Sequence, residues 1–275
     1  MSAQDRRGTR HPGGLGFLAG LLAGVAGGLF GVGGGVLLVP ILAGRFRLTQ
    51  HQAHGTSLAV IGVSALAGLA VYGAFAHVAW GTAALVGLAS VFTARYGARW
   101  ASRTSPRGLR RAFAAFLVLV AVRLLLSPPQ PGVGALPAGP WGIAFDLALG
   151  AGIGLLAGFM GVGGGMIAVP AFTLGLGMAQ QAAQGTSLAV ILVTGPAAAV
   201  EHARHGNVVW PLVPMLALGA IVGAPLSSWL AQVLPHEVLV KAFAVFLLAN
   251  AAYSWFKTGR REPPAPAAGS GATDP

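Results

Sequence analysis

The chain repeats itself in a single register. Gly31-Val32-Gly33-Gly34-Gly35 recurs as Gly161-Val162-Gly163-Gly164-Gly165, and each run is followed by the same proline, Pro40 and Pro170. Gly55-Thr56-Ser57-Leu58-Ala59-Val60 recurs letter for letter as Gly185-Thr186-Ser187-Leu188-Ala189-Val190. Trp80 matches Trp210, and Ala112-Phe113-Ala114 matches Ala242-Phe243-Ala244. Every pair is 130 positions apart, with no gap. Sequence rich in Gly and Ala produces scattered matches, but not a constant register over this distance. A fixed period constrains a fold more than any local pattern, because both copies must adopt the same unit. Residues 16–126 and 146–256 are read as those copies.

Composition decides the solvent of that unit. The 275 residues are 55% hydrophobic and only 8% charged, against about 25% charged in a soluble globular chain. Six acidic residues cannot coat a chain of this size for water, whereas lipid asks for no such coat. Only helices and closed barrels span a bilayer, and apolar runs approaching 20 residues are helical lengths. An all-α integral membrane protein follows. Its formal net charge of +11 fits the excess of Lys and Arg found in cytoplasmic loops. Nucleic acid is not expected as a partner, since no basic segment here makes a folded binding module. With no cysteine, disulfides, thiolate metal sites and cysteine nucleophiles are excluded. Residues 1–12 are basic and run into an apolar stretch, the outline of a signal peptide. A sister stretch, Gly142 to Phe159, lies mid-chain, so both are read as structure.

Each copy holds about five apolar segments, in the first at about 13–30, 32–44, 54–75, 79–98 and 109–126. The second is too short to cross the hydrocarbon core and is split from the first by Gly31 to Gly35. The first pair of each repeat therefore reads as a broken or re-entrant helical hairpin, or as two short, tilted spans, and either returns the chain to the side it started from. Charge sets the orientation. Were the pair one continuous span, the loop bearing Arg99, Arg103, Arg107, Arg110 and Arg111 would lie outside, against the positive-inside rule. A hairpin puts that loop inside and makes the second copy run inverted, an arrangement many secondary transporters share. The expected order is a cytoplasmic basic N-terminus (1–12), membrane repeat 1 (13–126) and an extracytoplasmic Pro/Gly linker (127–140). Membrane repeat 2 (141–257) and a disordered cytoplasmic tail (258–275) follow.

The glycine runs are the first candidates for chemistry. No strand precedes them and no lysine follows, so a nucleotide-binding loop is not indicated. Scattered glycines such as Gly20, Gly24 and Gly28 suit close helix packing. Three consecutive glycines breaking a hydrophobic run in both copies are a different feature, because broken backbone inside a membrane must be buried in protein or line a cavity. The residues after each break, Val36 to Leu38 and Met166 to Ala168, begin a helix with free N–H groups at its start. Such an end attracts anions without cationic side chains. Packing alone and a substrate site at Gly33, Gly34, Gly35, Gly163, Gly164 and Gly165 both remain open. Thr56, Ser57, Thr186 and Ser187 add matched hydroxyls early in the third segment of each copy.

Other polar groups are fewer. His51 with His54, and His202 with His205, sit at i, i+3 spacing, and Glu201 adjoins the second pair. They carry an alternative reading as a metal or cation transporter or channel, although the first pair aligns with Gln181 and Gln184. Ionisable groups inside membranes are functional candidates by default, which puts Glu201, Asp146 and His54 forward for proton coupling. No Ser-His-Asp order, paired carboxylates or His-Glu-x-x-His motif indicates an enzyme, and no cofactor or resident metal is expected. A non-transporting scaffold is the third reading, though it has no need of two matched helix breaks.

Gly-Val-Gly-Gly-Gly-x-x-x-Val-Pro, followed by Ala-x-Gly-Thr-Ser (Ala53 to Ser57, Ala183 to Ser187), resembles the sulfite exporter TauE/SafE family of bacterial permeases. The likeness spans both copies. It implies a multi-pass permease of the bacterial inner membrane with a small anionic substrate such as sulfite, a sulfonate or another organic anion. The positions it carries over are Gly31 to Gly35, Pro40, Gly55 to Ser57 and their partners 130 residues on. The chain departs from internal symmetry at His51 and His54, and at Pro196, which stands opposite Leu66.

Overall fold

The computed structural model describes residues 13–101, 106–126, 139–160 and 164–257. The basic N-terminus, Arg103, nearly all of the linker, Gly161 to Gly163 and the tail lie outside them. The first copy forms α1 (Gly13–Phe30), α2 (Gly35–Gly44), α3 (Gln50–Ala74), α4 (Trp80–Ala101) and α5 (Pro106–Leu126). The second forms α6 (Pro140–Met160), α7 (Gly165–Pro170), α8 (Gln180–Arg204), α9 (Val213–Val233) and α10 (His236–Lys257). The bounds of α3 and α8, and the starts of α5 and α10, differ by the offset of the sequence repeat. All the described elements are helical.

Six helices are long and apolar enough to cross a membrane: α1, α3, α6, α8, α9 and α10. Helices α4 and α5 match α9 and α10 in length but carry arginines, Arg95 and Arg99 near the end of α4 and Arg107, Arg110 and Arg111 near the start of α5. Large apolar side chains such as Leu18, Leu66, Phe92, Leu119 and Leu226 face outward. All six tryptophans are exposed within a few residues of a helix end, at 80, 100, 141, 210, 229 and 255. That is the placement of an interfacial aromatic belt. The chain is an integral membrane protein.

Glycine stripes set the helix pairs. A Cβ on Gly20, Gly24 or Gly28 of α1 would sit 1.9, 2.7 or 2.3 Å from the carbonyl oxygens of Leu216, Ala220 and Ala224 of α9. On Gly150, Gly154 and Gly158 of α6 it would meet the backbones of Val86, Ser90 and Ala94 of α4 in the same way. These positions are 130 residues apart, so each copy's first helix packs, in parallel, on the fourth helix of the other copy. Without a hydrophobic drive between helices in lipid, such backbone contact is a main source of association. The copies are thus interlocked.

At the centre α3 packs on α8, and α5 packs on α10. Helices α3 and α8 are copies of one segment, yet they run antiparallel: Gly55 faces His202, Gly62 faces Pro196, and Tyr72 reaches Gln184. Helix α8 stays helical through Pro196, where the sequence suggests a kink. The ring packs over Gly62, where a Cβ would stand in ordinary contact with it at 3.4 Å.

Helix α2 has ten residues, about 15 Å at 1.5 Å per residue and half of the roughly 30 Å hydrocarbon core. Its counterpart differs. Helix α7 stops after six residues and continues as a π-helical turn, Ala171–Gly175. Within it Thr173 donates to the carbonyls of Val169 and Pro170 at 3.1 and 3.2 Å. Where α2 has Ala43, the second copy has a hydroxyl that takes up backbone acceptors.

Candidate functional site

The chain turns between α1 and α2 through three left-handed glycines, Gly31, Gly33 and Gly34, at φ 68°, 71° and 83°. Side chains other than glycine avoid that region. Gly34 also lies against α1, where a Cβ would come within 2.2 Å of the Ala23 oxygen. Gly34 caps α2, and its carbonyl accepts from the N–H groups of both Leu37 (3.2 Å) and Leu38 (3.1 Å). The sequence reading of free N–H groups over Val36 to Leu38 is corrected accordingly. The N–H groups without an acceptor among the described residues are those of Gly35 and Val36. The second break repeats the arrangement, with Ile167 and Ala168 donating to Gly164.

The two breaks meet. A Cβ on Gly165 would lie 2.7 Å from Val32 Cα, and one on Gly33 would lie 3.4 Å from Ile191 of α8. Ser187 donates 2.8 Å to the Gly31 carbonyl, a bond from one copy into the break of the other.

The Gly-Thr-Ser elements are joints between the copies. Gly185 leaves room for the His77 carbonyl, 2.1 Å from where a Cβ would stand, and Gly55 does the same for Asn207 at 2.2 Å. At the next residue, Thr186 Oγ1 accepts from Ala79 N–H and Thr56 Oγ1 accepts from Val209 N–H, both at 3.0 Å. Each joint receives the bend that precedes the other copy's fourth helix. The threonine oxygens are committed to that backbone. The hydroxyl that faces the break is the serine's.

Around Gly31 to Gly35 several buried polar groups lack partners. Ser57 Oγ and Ser64 Oγ are both buried and unpaired. Ser57 Oγ lies 3.2 Å from the Cβ position of Gly35, and Ser64 Oγ 3.2 Å from that of Gly27, which itself abuts Gly34 N at 2.8 Å. Gln184 presses its Cα and Cβ against Gly31. Its Oε1 stands 2.9 Å from the buried Tyr72 hydroxyl, which is also 2.9 Å from the Gly28 carbonyl, and its Nε2 has no partner. The hydroxyl carries one hydrogen for two acceptors, so Gln184 keeps one unpaired amide atom in either orientation. A group that donates from Oε1's neighbour is obtained when Oε1 accepts from Tyr72. An unpaired buried polar group costs about 1–3 kcal/mol, which a ligand can recover. Ser64 and Gln184 were missed as site residues. Ser64 stands two helical turns after Ser57 on the same face, and Gln184 stands opposite His54 in the repeat. Those were the available signals.

The remaining polar candidates are placed elsewhere. Glu201 is exposed at the end of α8, 3.8 Å from Arg204 and 3.7 Å from His205. Asp146 is buried in α6, on a different helix pair. Among the described residues no three His, Cys, Asp or Glu side chains group as metal ligands. A groove of about 330 Å³ between α5, α6 and α7 is lined by apolar side chains including Phe116, Val120, Leu149 and Ile153; it offers nothing to an anion.

The profile of the sulfite exporter TauE/SafE family matches residues 2–124 and 147–273. The chain belongs to the sulfite exporter TauE/SafE family. The "Probable membrane transporter protein YunE" of Bacillus subtilis (strain 168) is 26% identical over 251 residues, covering 83% of this chain and 92% of that protein. A "Probable membrane transporter protein" of Xylella fastidiosa (strain Temecula1 / ATCC 700964) is 28% identical over 241 residues, covering 86% and 92%. No solved structure matches.

Proposed function

We propose that this TauE/SafE protein is a secondary transporter of a small anion, of the sulfite or sulfonate class, whose site lies at the break between α1 and α2. The observation that carries the reading is the set of groups gathered there. Two N–H groups at the start of a ten-residue helix, Gly35 and Val36, stand among the unpaired Ser57 and Ser64 hydroxyls and the Gln184 amide. All five can donate, and a helix start carries about half a positive charge. An oxyanion satisfies such donors with no cation and at little desolvation cost to the protein. The family's name, sulfite exporter, specifies cargo of that chemistry.

Antiparallel packing of the copied helices α3 and α8 supports reading the repeats as inverted, with their axis in the membrane plane. A half-length α2 supports reading each first pair as a re-entrant hairpin whose tip is buried between the copies. Alternating access then consists of rocking one copy against the other about the two joints. Thr56 and Thr186 act in this scheme as pivots, and Gly33 to Gly35 with Ser57 line the site. Gly164 and Gly165 with Ser187 form the opposing wall. The histidine-based metal reading lacks a three-ligand cluster to hold its cargo among the described residues.

Uptake of sulfite and of methanesulfonate into proteoliposomes tests the site. Ser57→Ala and Gln184→Leu are each expected to cut saturable uptake about tenfold, the worth of one hydrogen bond to a charged ligand. Ser57→Ala should purify as well as the parent, and Gln184→Leu, which also gives up the Tyr72 bond, should still purify as a folded species. Wild-type uptake rates in both would refute the site.

A further inference from the structure

One place in the molecule breaks the symmetry of the repeat in a chemically pointed way. The crossing of α3 and α8 occurs twice, once at each end of the pair. At one end Tyr72 packs on Gly185, its Cβ 2.9 Å from where a glycine Cβ would be, and its hydroxyl meets Gln184. At the other end the equivalent residue is His202, whose Cβ stands 3.1 Å from the Cβ position of Gly55. The residue equivalent to Gln184 is His54. A neutral phenol and amide, which do not titrate between pH 5 and 8, are thus replaced by two imidazoles, which do.

The surroundings of His202 fit a group that changes charge. Its Nδ1 is buried and has no hydrogen-bond partner. Among the described residues, the titratable groups acting on it are His51 across the crossing on α3 and His205 and Glu201 at its own end of α8. Arg204 pairs with Glu201 at the surface. Glu201 is shared between Arg204 and His205 rather than given over to His202. The crossing is at Gly55, the residue just before Thr56, whose hydroxyl receives Val209. Protonation of His202 turns Nδ1 from an acceptor into a donor and sets it against His51, and so bears directly on the packing of that joint.

We propose that His202, with His54 and His51 across the crossing, is the proton-binding site that couples anion movement to the pH gradient. The proposal rests on the carrier reading above. It assigns the proton to one end of the α3–α8 pair and leaves the Tyr72–Gln184 end as a proton-independent fastener. The step is a simple association: one imidazole nitrogen takes up a proton from the aqueous side it faces and releases it to the other after the copies rock.

The test makes the two ends alike. In the double variant His202→Tyr with His54→Gln, the second crossing receives the side chains of the first. Exchange of external for internal methanesulfonate, a probe that stays ionised throughout, needs no proton movement and is expected to stay within about twofold of wild type. Uptake driven by an imposed pH gradient, and the accompanying change in a trapped pH dye, are expected to fall about tenfold, as for loss of a group that swings from mostly protonated to mostly neutral over two pH units. Gradient-driven uptake that survives in the double variant would overturn the proposal. A second readout needs no substrate. In ring-labelled histidine NMR of the purified protein, the resonance absent from His202→Tyr should titrate between pH 5 and 8, and one that does not titrate overturns the proton site. Wild-type protein with a titrating His202 and no exchange would instead sink the carrier reading, and the coupling role with it.

Discussion

Around Gly34 the chain is packed so closely that a single added carbon would strike the Ala23 carbonyl at 2.2 Å, whereas a carbon added at Gly164 meets, among the described residues, only Ala157 Cβ at 3.6 Å. Both glycines cap the helix after a break, both have φ above 80°, and they occupy the same position in the repeat. The difference continues outward. Ser64 hangs unpaired over the first break, while its counterpart Thr194 donates to its own helix at Val190. The first break leads into a regular α2, the second into six residues and a π turn. What the copies share is the frame: glycine stripes, the Gly-Thr-Ser joints and the antiparallel α3–α8 pair. What they do not share is the polar content of the breaks. A frame that is symmetric supplies two interchangeable arrangements of similar energy, and unlike contents let a ligand or a proton favour one of them.

The strongest way to break this comparison is to fill both caps. Gly34→Ala forces a side chain into a left-handed residue and into backbone that cannot move aside, so little folded protein is expected after detergent extraction. Gly164→Ala has the backbone strain alone, about 1–2 kcal/mol, and is expected to elute as a single species with a lowered melting temperature. Valine at Gly34 is correspondingly a poor probe of transport, because it tests the fold first. Equal losses from the two alanines would show that the breaks are packed alike.

The joints should behave in the opposite way. Thr56→Val and Thr186→Val keep the shape and remove the oxygen that accepts from Val209 and Ala79. Each leaves one backbone N–H unpaired, at about 1–3 kcal/mol. Because the two bonds have the same length and the same partner position, the two shifts in thermal stability are expected to agree. A shift confined to one of them would mean that the frame is less symmetric than its geometry.

The frame was legible in the sequence because its signals are local and repeated. Apolar length gives the helices, a constant offset gives two copies, and three glycines in a hydrophobic run give the break. The bounds of α3 and α8 fall at one offset for that reason. The role of the joint was not legible. Thr56 reads as a ligand hydroxyl early in its span until Asn207 and Val209 are seen against Gly55 and Thr56, and nothing in either segment names a partner 153 residues away. Free N–H groups were placed one residue too far along α2, because sequence does not show that the Gly34 carbonyl serves Leu37 as well as Leu38. The site's own asymmetry was half visible. His54 opposite Gln184 stood out in the repeat, but that Tyr72 meets Gln184 at one crossing and His202 meets Gly55 at the other is visible only in the fold.

The smallest effect separates the two serines. Ser187 donates to the Gly31 carbonyl across the copies, so Ser187→Ala should lower stability by about 1 kcal/mol, the net worth of an ordinary hydrogen bond. Ser57 is equally buried but bonds nothing. Removing its hydroxyl removes an unsatisfied group, so Ser57→Ala should leave thermal stability unchanged or slightly raised while uptake falls. That opposition, a serine that holds the fold in one copy and a serine that holds only cargo in the other, is the sharpest form of the comparison. A loss of stability in Ser57→Ala as large as in Ser187→Ala would assign both hydroxyls to packing and take the anion site away from the first break.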